Sequence, residues 1–370
     1  MEYIVSARKY RPDTFSSVEG QDNIIATLKN AIKNNTLAHA YLFSGTRGVG
    51  KTTSARIFAK TINCMNITAD YEPCNECESC KAFNENRSYN IHELDAASNN
   101  SVDDIRLLTE KVRIPPQMGN YSVYIIDEVH MLSSAAFNAF LKTLEEPPKH
   151  AIFILATTEK HKILPTILSR CQSFDFERIS VDTATKRLRY VAEKEGVTIE
   201  EEALNIIATK SDGAMRDALT IFDQIVASSG GNITYEQVIK NLNVLDYDYH
   251  FKLVEAFLEE NSTDALLIFN DILQKGFEGS HFIGGLSNHF RDLMMCKNPQ
   301  TAELLEVGVN IRSRYIEQAT KCDVDFIYTA LSITNECDLQ YRIARNKRLH
   351  VEFALLKLSR ILTEKKKQLN

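Results

Sequence analysis

The sequence predicts an α/β domain built on a parallel sheet, then a small helical domain, then an all-helical bundle. Three observations carry that expectation. Up to about residue 179, short apolar runs alternate with helical patterns, as they do where helices cover both faces of a sheet. The stretch Gly45-Thr-Arg-Gly-Val-Gly-Lys-Thr52 lies between one such run, Ala40–Phe43, and a helical pattern, Thr53–Lys60, so a Gly-rich turn joins strand to helix. From Asp246 onward only helical periodicity remains, with Pro299 as the one proline. The predicted parts are 1–179, 180–243 and 244–370.

A chain of 370 residues with 44% hydrophobic content can bury several cores. No apolar run reaches the length that spans a bilayer. The start, Met1-Glu-Tyr-Ile-Val-Ser6, lacks the basic-then-apolar order of a signal peptide, so the expected compartment is the cytosol. Eight cysteines there read as thiols or metal ligands in preference to disulfides. A net charge of −6 excludes a generally sticky polycation. A nucleic-acid partner would have to be met by a local patch or through an assembly.

Residues 6–21 form a basic arm in which Arg11-Pro12 imposes extended backbone, and a solvated strand is the default expectation. Asp22 then precedes a helix with Ile24, Ile25, Leu28 and Ile32 at its apolar positions. In the Gly45–Thr52 loop the glycines let the backbone curl, turning its N–H groups toward a phosphate. The helix start adds partial positive charge at the same point. Lys51 is expected to reach the β- and γ-phosphates of a nucleotide, and the Thr52 hydroxyl to hold Mg²⁺.

After that helix, Cys64, Cys74, Cys77 and Cys80 share one short polar loop. They supply the four thiolates of a closed tetrahedral Zn²⁺ site, structural because no position stays open to water. A redox pair is the competing reading. The insertion, 64–80, follows the phosphate-loop helix without interrupting it, so stripping the metal is expected to leave nucleotide binding largely intact.

Ile91–Asp95, Ser122–Asp127, Ala151–Ala156 and Gln172–Phe176 read as further strands. Ala96–Ser101 is a turn, and Ser101-Val-Asp-Asp104 opens a helix that Pro115-Pro116 stops. Helices follow at about 182–194, 199–209, 214–227 and 234–241, with capping boxes at Thr198-Ile-Glu-Glu201 and Thr234-Tyr-Glu-Gln237. In the bundle, Ala265, Leu266, Phe269, Ile272 and Leu273 make one apolar stripe, and Asp325–Leu339 and Val351–Leu362 carry others. The tail, Lys365–Asn370, is basic and polar.

Asp127 closes a strand in the position from which a carboxylate can hold Mg²⁺, and Glu128 beside it is placed to polarise an attacking water. Thr157, at the end of the next strand, can hydrogen-bond that water or the γ-phosphate, although a strand-end Thr is often an ordinary turn residue. Two arginines, Arg170 in Ser169-Arg-Cys171 and Arg216 in Gly213-Ala-Met-Arg216, are candidates for the further positive charge that a loose phosphoryl-transfer transition state needs.

Taken together, Arg8-Lys-Tyr-Arg-Pro12, Gly45–Thr52, the four cysteines, Asp127-Glu-Val-His-Met-Leu132, Ser169-Arg-Cys171 and Gly213–Leu219 resemble the AAA+ clamp loaders. The resemblance is strongest to the gamma/tau family of ATPase subunits of the bacterial DNA polymerase III clamp loader. The cysteine insertion is its most discriminating mark. The resemblance covers essentially the whole chain, and it weakens in the bundle.

It implies an AAA+ P-loop ATPase domain with an inserted zinc module, a helical lid domain and a helical collar. ATP is implied to lie among Tyr10, Arg11, Pro12 and Val18, the loop residues Gly45, Thr46, Arg47, Gly48, Val49, Gly50, Lys51, Thr52 and Thr53, and Arg216. Lys51, Thr52, Asp127 and Glu128 are implied to bind and hydrolyse ATP-Mg²⁺, Thr157 to be a first sensor, and Arg216 to sense phosphate from the small domain. Arg170 is implied to act in trans on a neighbouring subunit's ATP. The implied partners are other clamp-loader subunits in a five-subunit ring, the sliding clamp and primer–template DNA. ATP binding would open the clamp and grip the DNA, and hydrolysis would release the clamp, in a cytoplasmic assembly at the nucleoid. One departure stands out. Where relatives offer basic residues to the DNA backbone, this chain has Asn99-Asn100-Ser101, leaving amide and hydroxyl groups and a helix N-terminus.

Three rival readings are open to the same residues. A branch-migration motor would share the loop and the Asp-Glu strand, but not the Cys64–Cys80 insertion or the Ser-Arg-Cys placement. A non-hydrolysing nucleotide scaffold would be expected to have lost Lys51, Asp127 or Glu128. A zinc-ribbon nucleic-acid module would carry basic and aromatic residues around its cysteines, where this loop has Glu72, Glu76 and Glu78.

Overall fold

The run Ala40–Ser44 is buried along its whole length and forms β1, the strand about which a five-stranded parallel sheet is wound. In the computed structural model, which describes residues 4–116, 119–242, 246–305 and 307–363, the chain falls into two compact units. One comprises 1–196 with 210–224 and the other 197–209 with 225–370. The basic tail Lys365–Asn370 and the expected boundary at 243–244 lie outside the described residues.

The first unit runs α1 (Ser6–Lys9), α2 (Asp22–Lys33), β1, α3 (Lys51–Ile62), α4 (Glu78–Asn84), β2 (Ile91–Asp95), α5 (Val102–Val112) and β3 (Ser122–Asp127). It continues through α6 (Ser134–Glu145), β4 (Ala151–Thr157), α7 (Pro165–Leu168), β5 (Gln172–Asp175) and α8 (Val181–Glu195). The strand order is β2-β3-β4-β1-β5, all parallel. The two-residue period of β1 sends Tyr41 and Phe43 to one face, with Phe58, Ile125 and Ile154, and Leu42 to the other, with Tyr124, Phe140 and Phe153. Phe140 meets Phe153 edge-on at 5.2 Å. Each large apolar side chain fully buried this way contributes about 1.5–3 kcal/mol. Register then aligns polar strand ends along one edge of the sheet: Ser44 opposite Thr157, and Asp95 opposite Asp127. In a doubly wound sheet this carboxyl edge is where ligands bind.

The remaining elements are β6 (Thr198–Ile199), α9 (Glu201–Lys210), α10 (Met215–Ser229), β7 (Asn232–Ile233) and α11 (Tyr235–Leu242). The bundle then follows as α12 (Tyr247–Leu258), α13 (Ser262–Gln274), α14 (Gly279–Met295), α15 (Pro299–Ala302), α16 (Val309–Lys321), α17 (Val324–Tyr341) and α18 (Lys347–Leu358). The α13 stripe is as the sequence predicts: Ala265, Phe269 and Ile272 are buried, and Leu266 and Leu273 partly so. They join a core with Phe251, Leu286, Phe290, Tyr315 and Leu355. Among the described residues no helix is long and apolar enough to cross a membrane.

Two local expectations are corrected. The basic arm is not a strand. It forms α1 and a 3₁₀ turn at Phe15–Ser17, because side chains distant in sequence hold it: Asp223 accepts from the Ser6 N–H at 2.7 Å, and Glu195 pairs with Lys9 at 2.6 Å. Thr198 is not a helix cap. It lies in β6, which pairs in parallel with β7, and the Glu200 N–H continues the ladder to the Ile233 carbonyl at 3.1 Å. Two-residue strands are too short to show a period. At Thr234 the capping box forms as expected, with Gln237 N–H on the Thr234 hydroxyl and Thr234 N–H on the Gln237 amide oxygen.

Candidate functional site

A cleft of about 620 Å³ opens at the carboxyl edge of the sheet. Its floor is the loop after β1. Lys51, 5% exposed, opens α3 and folds its ammonium back onto the loop, donating to the carbonyls of Gly45 and Thr46 at 2.7 Å each. Burial holds the Lys51 ammonium below its ordinary range, and the nearby carboxylates of Glu128 and Asp127 pull the other way. Gly48 carries a φ of +82° and lies where an added Cβ would come within 3.0 Å of Ala214 and 3.3 Å of the Arg216 Cβ. The missing side chain lets the start of α10 close on the loop, with the Arg216 N–H on the Gly48 carbonyl at 3.4 Å. Gly213 makes a second close approach, and Ile179 N–H donates to its carbonyl at 3.0 Å.

The acidic pair stands on the same side. Thr52 donates its hydroxyl to Asp127 Oδ2 at 2.8 Å, and Asp127 Oδ1 accepts the Glu128 N–H at 3.0 Å. Glu128 has the left-handed backbone, φ +48°, that a non-glycine residue adopts only when its surroundings hold it there. Thr158 does so, giving its N–H and hydroxyl to Glu128 Oε2 at 3.2 and 3.0 Å. Thr157, wholly buried, bonds to His130 Nδ1 at 3.0 Å and accepts the Glu159 N–H. Of two adjacent threonines, the structure sets the second against the carboxylate. An unaligned Thr-Thr pair gives no sign of which side chain points where, so the sequence reading passed over Thr158.

The arm supplies a further part of the lining. Tyr10, Arg11, Pro12 and Val18 line the cleft, as do Arg47, Gly48, Val49, Gly50, Thr52, Thr53 and Arg216. Arg11 Nε donates to the Thr53 hydroxyl at 3.1 Å, and burial first, then the Arg56 charge, lowers its pKa. Gly45 and Thr46 do not line the cleft and meet it through the Lys51 ammonium. Arg8, Glu19, Arg187, Met215 and Leu219 also line it. Arg187, which donates to the Tyr10 carbonyl at 3.1 Å, carries no motif by which sequence could have found it.

Arg170 is not brought into this cleft. It follows α7, pairs with Glu145 at 2.8 Å and donates to the Thr166 carbonyl at 2.7 Å. The turn at Asn99–Ser101 is occupied by capping: Ser101 Oγ accepts the Asp104 N–H, and the Asp104 carboxylate accepts from Ser101 N–H and hydroxyl.

Cys64, Cys74, Cys77 and Cys80 converge with all four sulfurs within 4.8 Å of one another. Cys64 and Cys74 lie 3.5 Å apart, and Cys64 and Cys77 4.0 Å apart. Sulfurs at the corners of a tetrahedron about zinc stand about 3.8 Å apart for a bond of about 2.3 Å, so the donor set fits that ion. Backbone N–H groups point at the sulfurs, among them Cys74 N–H on Cys64 and Cys77 N–H on Cys74. The buried ammonium of Lys60 donates to Asn75 of the loop at 2.5 Å, and burial lowers its pKa while the nearby Asp13, then Cys80 and Cys64, act the other way. The helix α4, which the sequence reading did not anticipate, presents Cys80 from its first turn.

Comparison with known proteins gives three adjoining family matches. Residues 20–180 match "DNA polymerase III, delta subunit", 183–231 "DNA polymerase III clamp loader subunit, ATPase lid domain", and 233–369 "DNA polymerase III subunits gamma and tau domain III". The DNA polymerase III subunit tau of Bacillus subtilis is 42% identical over 97% of this chain and 63% of its own length. That of Escherichia coli is 38% identical over 96% of this chain and 55% of its own length. The DNA polymerase III subunit gamma of Buchnera aphidicola subsp. Baizongia pistaciae is 32% identical over 98% of this chain and 99% of its own length. The chain thus spans somewhat over half the length of the tau relatives and nearly all of the gamma relative.

Proposed function

Because the chain belongs to the DNA polymerase III gamma/tau subunit family, we propose that it is the ATP-hydrolysing motor subunit of a replicative clamp loader. One observation carries the reading: a phosphate-loop lysine, a Thr–Asp pair, a restrained glutamate and the start of the helix bearing Arg216 face one cleft.

In this proposal Lys51 exchanges its two carbonyl contacts for β- and γ-phosphate oxygens. Thr52 and Asp127 would hold Mg²⁺, which when bound would neutralise phosphate charge. Glu128 orients the attacking water through Oε1, since its Thr158 contacts fall on Oε2. Thr157 is the first sensor, and Arg216 reports phosphate from a lid domain. The apolar side chains of Pro12, Val18 and Leu219 suit the flat face of a base. Arg170 serves the next subunit's ATP, which fits its place away from this chain's own cleft. Zn²⁺ in the four-cysteine site has a structural role, since four sulfurs fill its coordination.

The division proposed is an ATPase domain to 179, a lid at 180–243 and a collar from 244 that joins five subunits in a cytoplasmic, nucleoid-associated ring. ATP binding opens the sliding clamp and grips primer–template DNA, and hydrolysis releases the clamp. The test is an ATPase assay of the purified chain, then with companion subunits, clamp and primed DNA. Stimulation by clamp and DNA together is the expected result. A rate that neither changes would overturn the loader reading.

A further inference from the structure

Glu72 lies in the cysteine loop, two residues before Cys74, yet its carboxylate is directed at the arm. Its Oε2 accepts the Phe15 N–H at 2.7 Å and its Oε1 the Ser16 N–H at 2.9 Å. The Lys29 ammonium on α2 lies 2.7 Å from Oε1. Glu72 is only 9% exposed and Phe15 is wholly buried, so these are charge-assisted bonds largely shielded from water. A second tie runs parallel: Asn75, also in the loop, donates to Asp13 at 3.4 Å and accepts from Lys60 at 2.5 Å. The 3₁₀ turn held at Phe15–Ser17 leads directly to Val18, and Tyr10, Arg11 and Pro12 precede it. All four line the cleft.

We infer that Glu72 is a positioning residue for nucleotide: the cysteine-held loop fixes the arm wall of the cleft through the Phe15 and Ser16 N–H groups. The inference rests on the reading of the cleft as an ATP site. It runs against the expectation, drawn from sequence order, that the insertion is indifferent to nucleotide. The insertion follows the phosphate-loop helix in the chain, but in space it holds the segment that precedes that helix. The Glu72 carboxylate is engaged by Phe15, Ser16 and Lys29, all outside Gly45–Thr52. Its loss therefore falls on the part of a ligand that meets Pro12 and Val18, the base, and spares the phosphates.

The experiment measures displacement of a ribose-labelled fluorescent ATP from the full chain by unlabelled ATP and by inorganic triphosphate. Glu72→Ala is expected to weaken ATP about tenfold, the scale of a lost charge-assisted bond, and to shift triphosphate by no more than about twofold. Glu72→Gln keeps the shape and one acceptor, so a smaller shift of the same pattern is expected, and it decides the question should the alanine variant not fold. Cys74→Ser, which slackens the loop and leaves the carboxylate in place, is expected to follow Glu72→Ala. Failure of the unaltered chain to bind labelled ATP would overturn the cleft reading itself. If that chain binds and the Glu72 variants bind ATP equally well, the inference is wrong. Equal loss of ATP and triphosphate also overturns it, as that marks general loosening of the fold. A Cys74→Ser chain with unchanged ATP affinity would remove the cysteine loop from the argument.

Discussion

The Thr52 hydroxyl donates to Asp127 Oδ2 at 2.8 Å across 75 residues of sequence. The two side chains belong to different elements, Thr52 in the first turn of α3 and Asp127 at the end of β3, and only the sheet brings them together. A hydroxyl and a carboxylate at this separation already have the donor types that Mg²⁺ takes from this motif.

Lys51→Ala is expected to abolish ATP binding, because the ammonium grips phosphate in ground and transition states alike. Glu128→Gln is expected to keep binding and stop turnover, since it preserves shape and removes the group that orients water. Equilibrium binding and steady-state hydrolysis in the full assembly separate the two. A wild-type rate for Glu128→Gln would show that the strand-end pair has been assigned wrongly.

Metal analysis or native mass spectrometry is expected to find about one Zn²⁺ per chain, held by Cys64, Cys74, Cys77 and Cys80. Correctly folded protein free of metal would refute the site.

Arg170→Ala is expected to leave ATP binding by the isolated chain intact and to cut stimulated hydrolysis by about 10³-fold if the guanidinium acts fully on the neighbour's γ-phosphate. Its pair with Glu145 is 35% and 50% exposed on the two sides, and such surface pairs contribute ~0–1 kcal/mol, so Glu145→Ala should leave stability nearly unchanged. Mixing Arg170→Ala with Lys51→Ala chains tests action in trans. A ring that sets an intact Arg170 against an intact Lys51 recovers one site, and absence of rescue in every mixture would assign Arg170 to its own chain.

Tight DNA binding is expected only in the ATP-bound assembly. The net charge is −6, and the Ser101 hydroxyl is engaged with Asp104, so a single chain offers little to phosphates. Several weak contacts in one channel would add to useful affinity. Nucleotide-independent, strong binding of primed DNA by the monomer in fluorescence anisotropy would contradict this.

The bundle is expected to lose stability below about pH 6.5. Burial holds His250 down to about 4 and His289 down to about 3. His289 is fixed as a neutral ring, with Tyr315 on Nδ1 and Gln318 on Nε2, each at 2.9 Å. An unfolded chain binds protons at both histidines as pH falls through the ordinary range, and the folded one does not, so acid favours unfolding. Asp292, raised by burial to about 6, acts oppositely, since the folded state then binds the extra proton. Two histidines outweigh one carboxyl, and the net loss between pH 6.5 and 4 is on the order of a few kcal/mol. Hydrogen exchange of α12, α14 and α16 in the full chain should quicken over that window. Unchanged protection would show that the histidines titrate normally.

Much of the first unit was legible because its signals are local. Strand-like segments of four to six residues gave β1, β2, β3 and β4 within a residue of their ends, and the phosphate loop announced itself by eight contiguous residues. In the bundle, α13, α17 and α18 followed from their stripes. Short elements were not legible: α1, α4, β6 and β7 have two to seven residues, fewer than a period needs to repeat.

What the sequence by itself determined is which groups are candidates for the chemistry, namely Lys51, Thr52, Asp127, Glu128 and four cysteines, because each sits in a motif whose spacing is fixed along the chain. Tertiary structure alone decided how those groups are held. It turned Thr158 toward Glu128, set Arg170 against Glu145 outside the cleft, brought Arg187 to the Tyr10 carbonyl, and aimed Glu72 at the arm. These relations join residues 25 to 177 positions apart. Sequence order carries no distance at that separation; the packed sheet and its covering helices supply it.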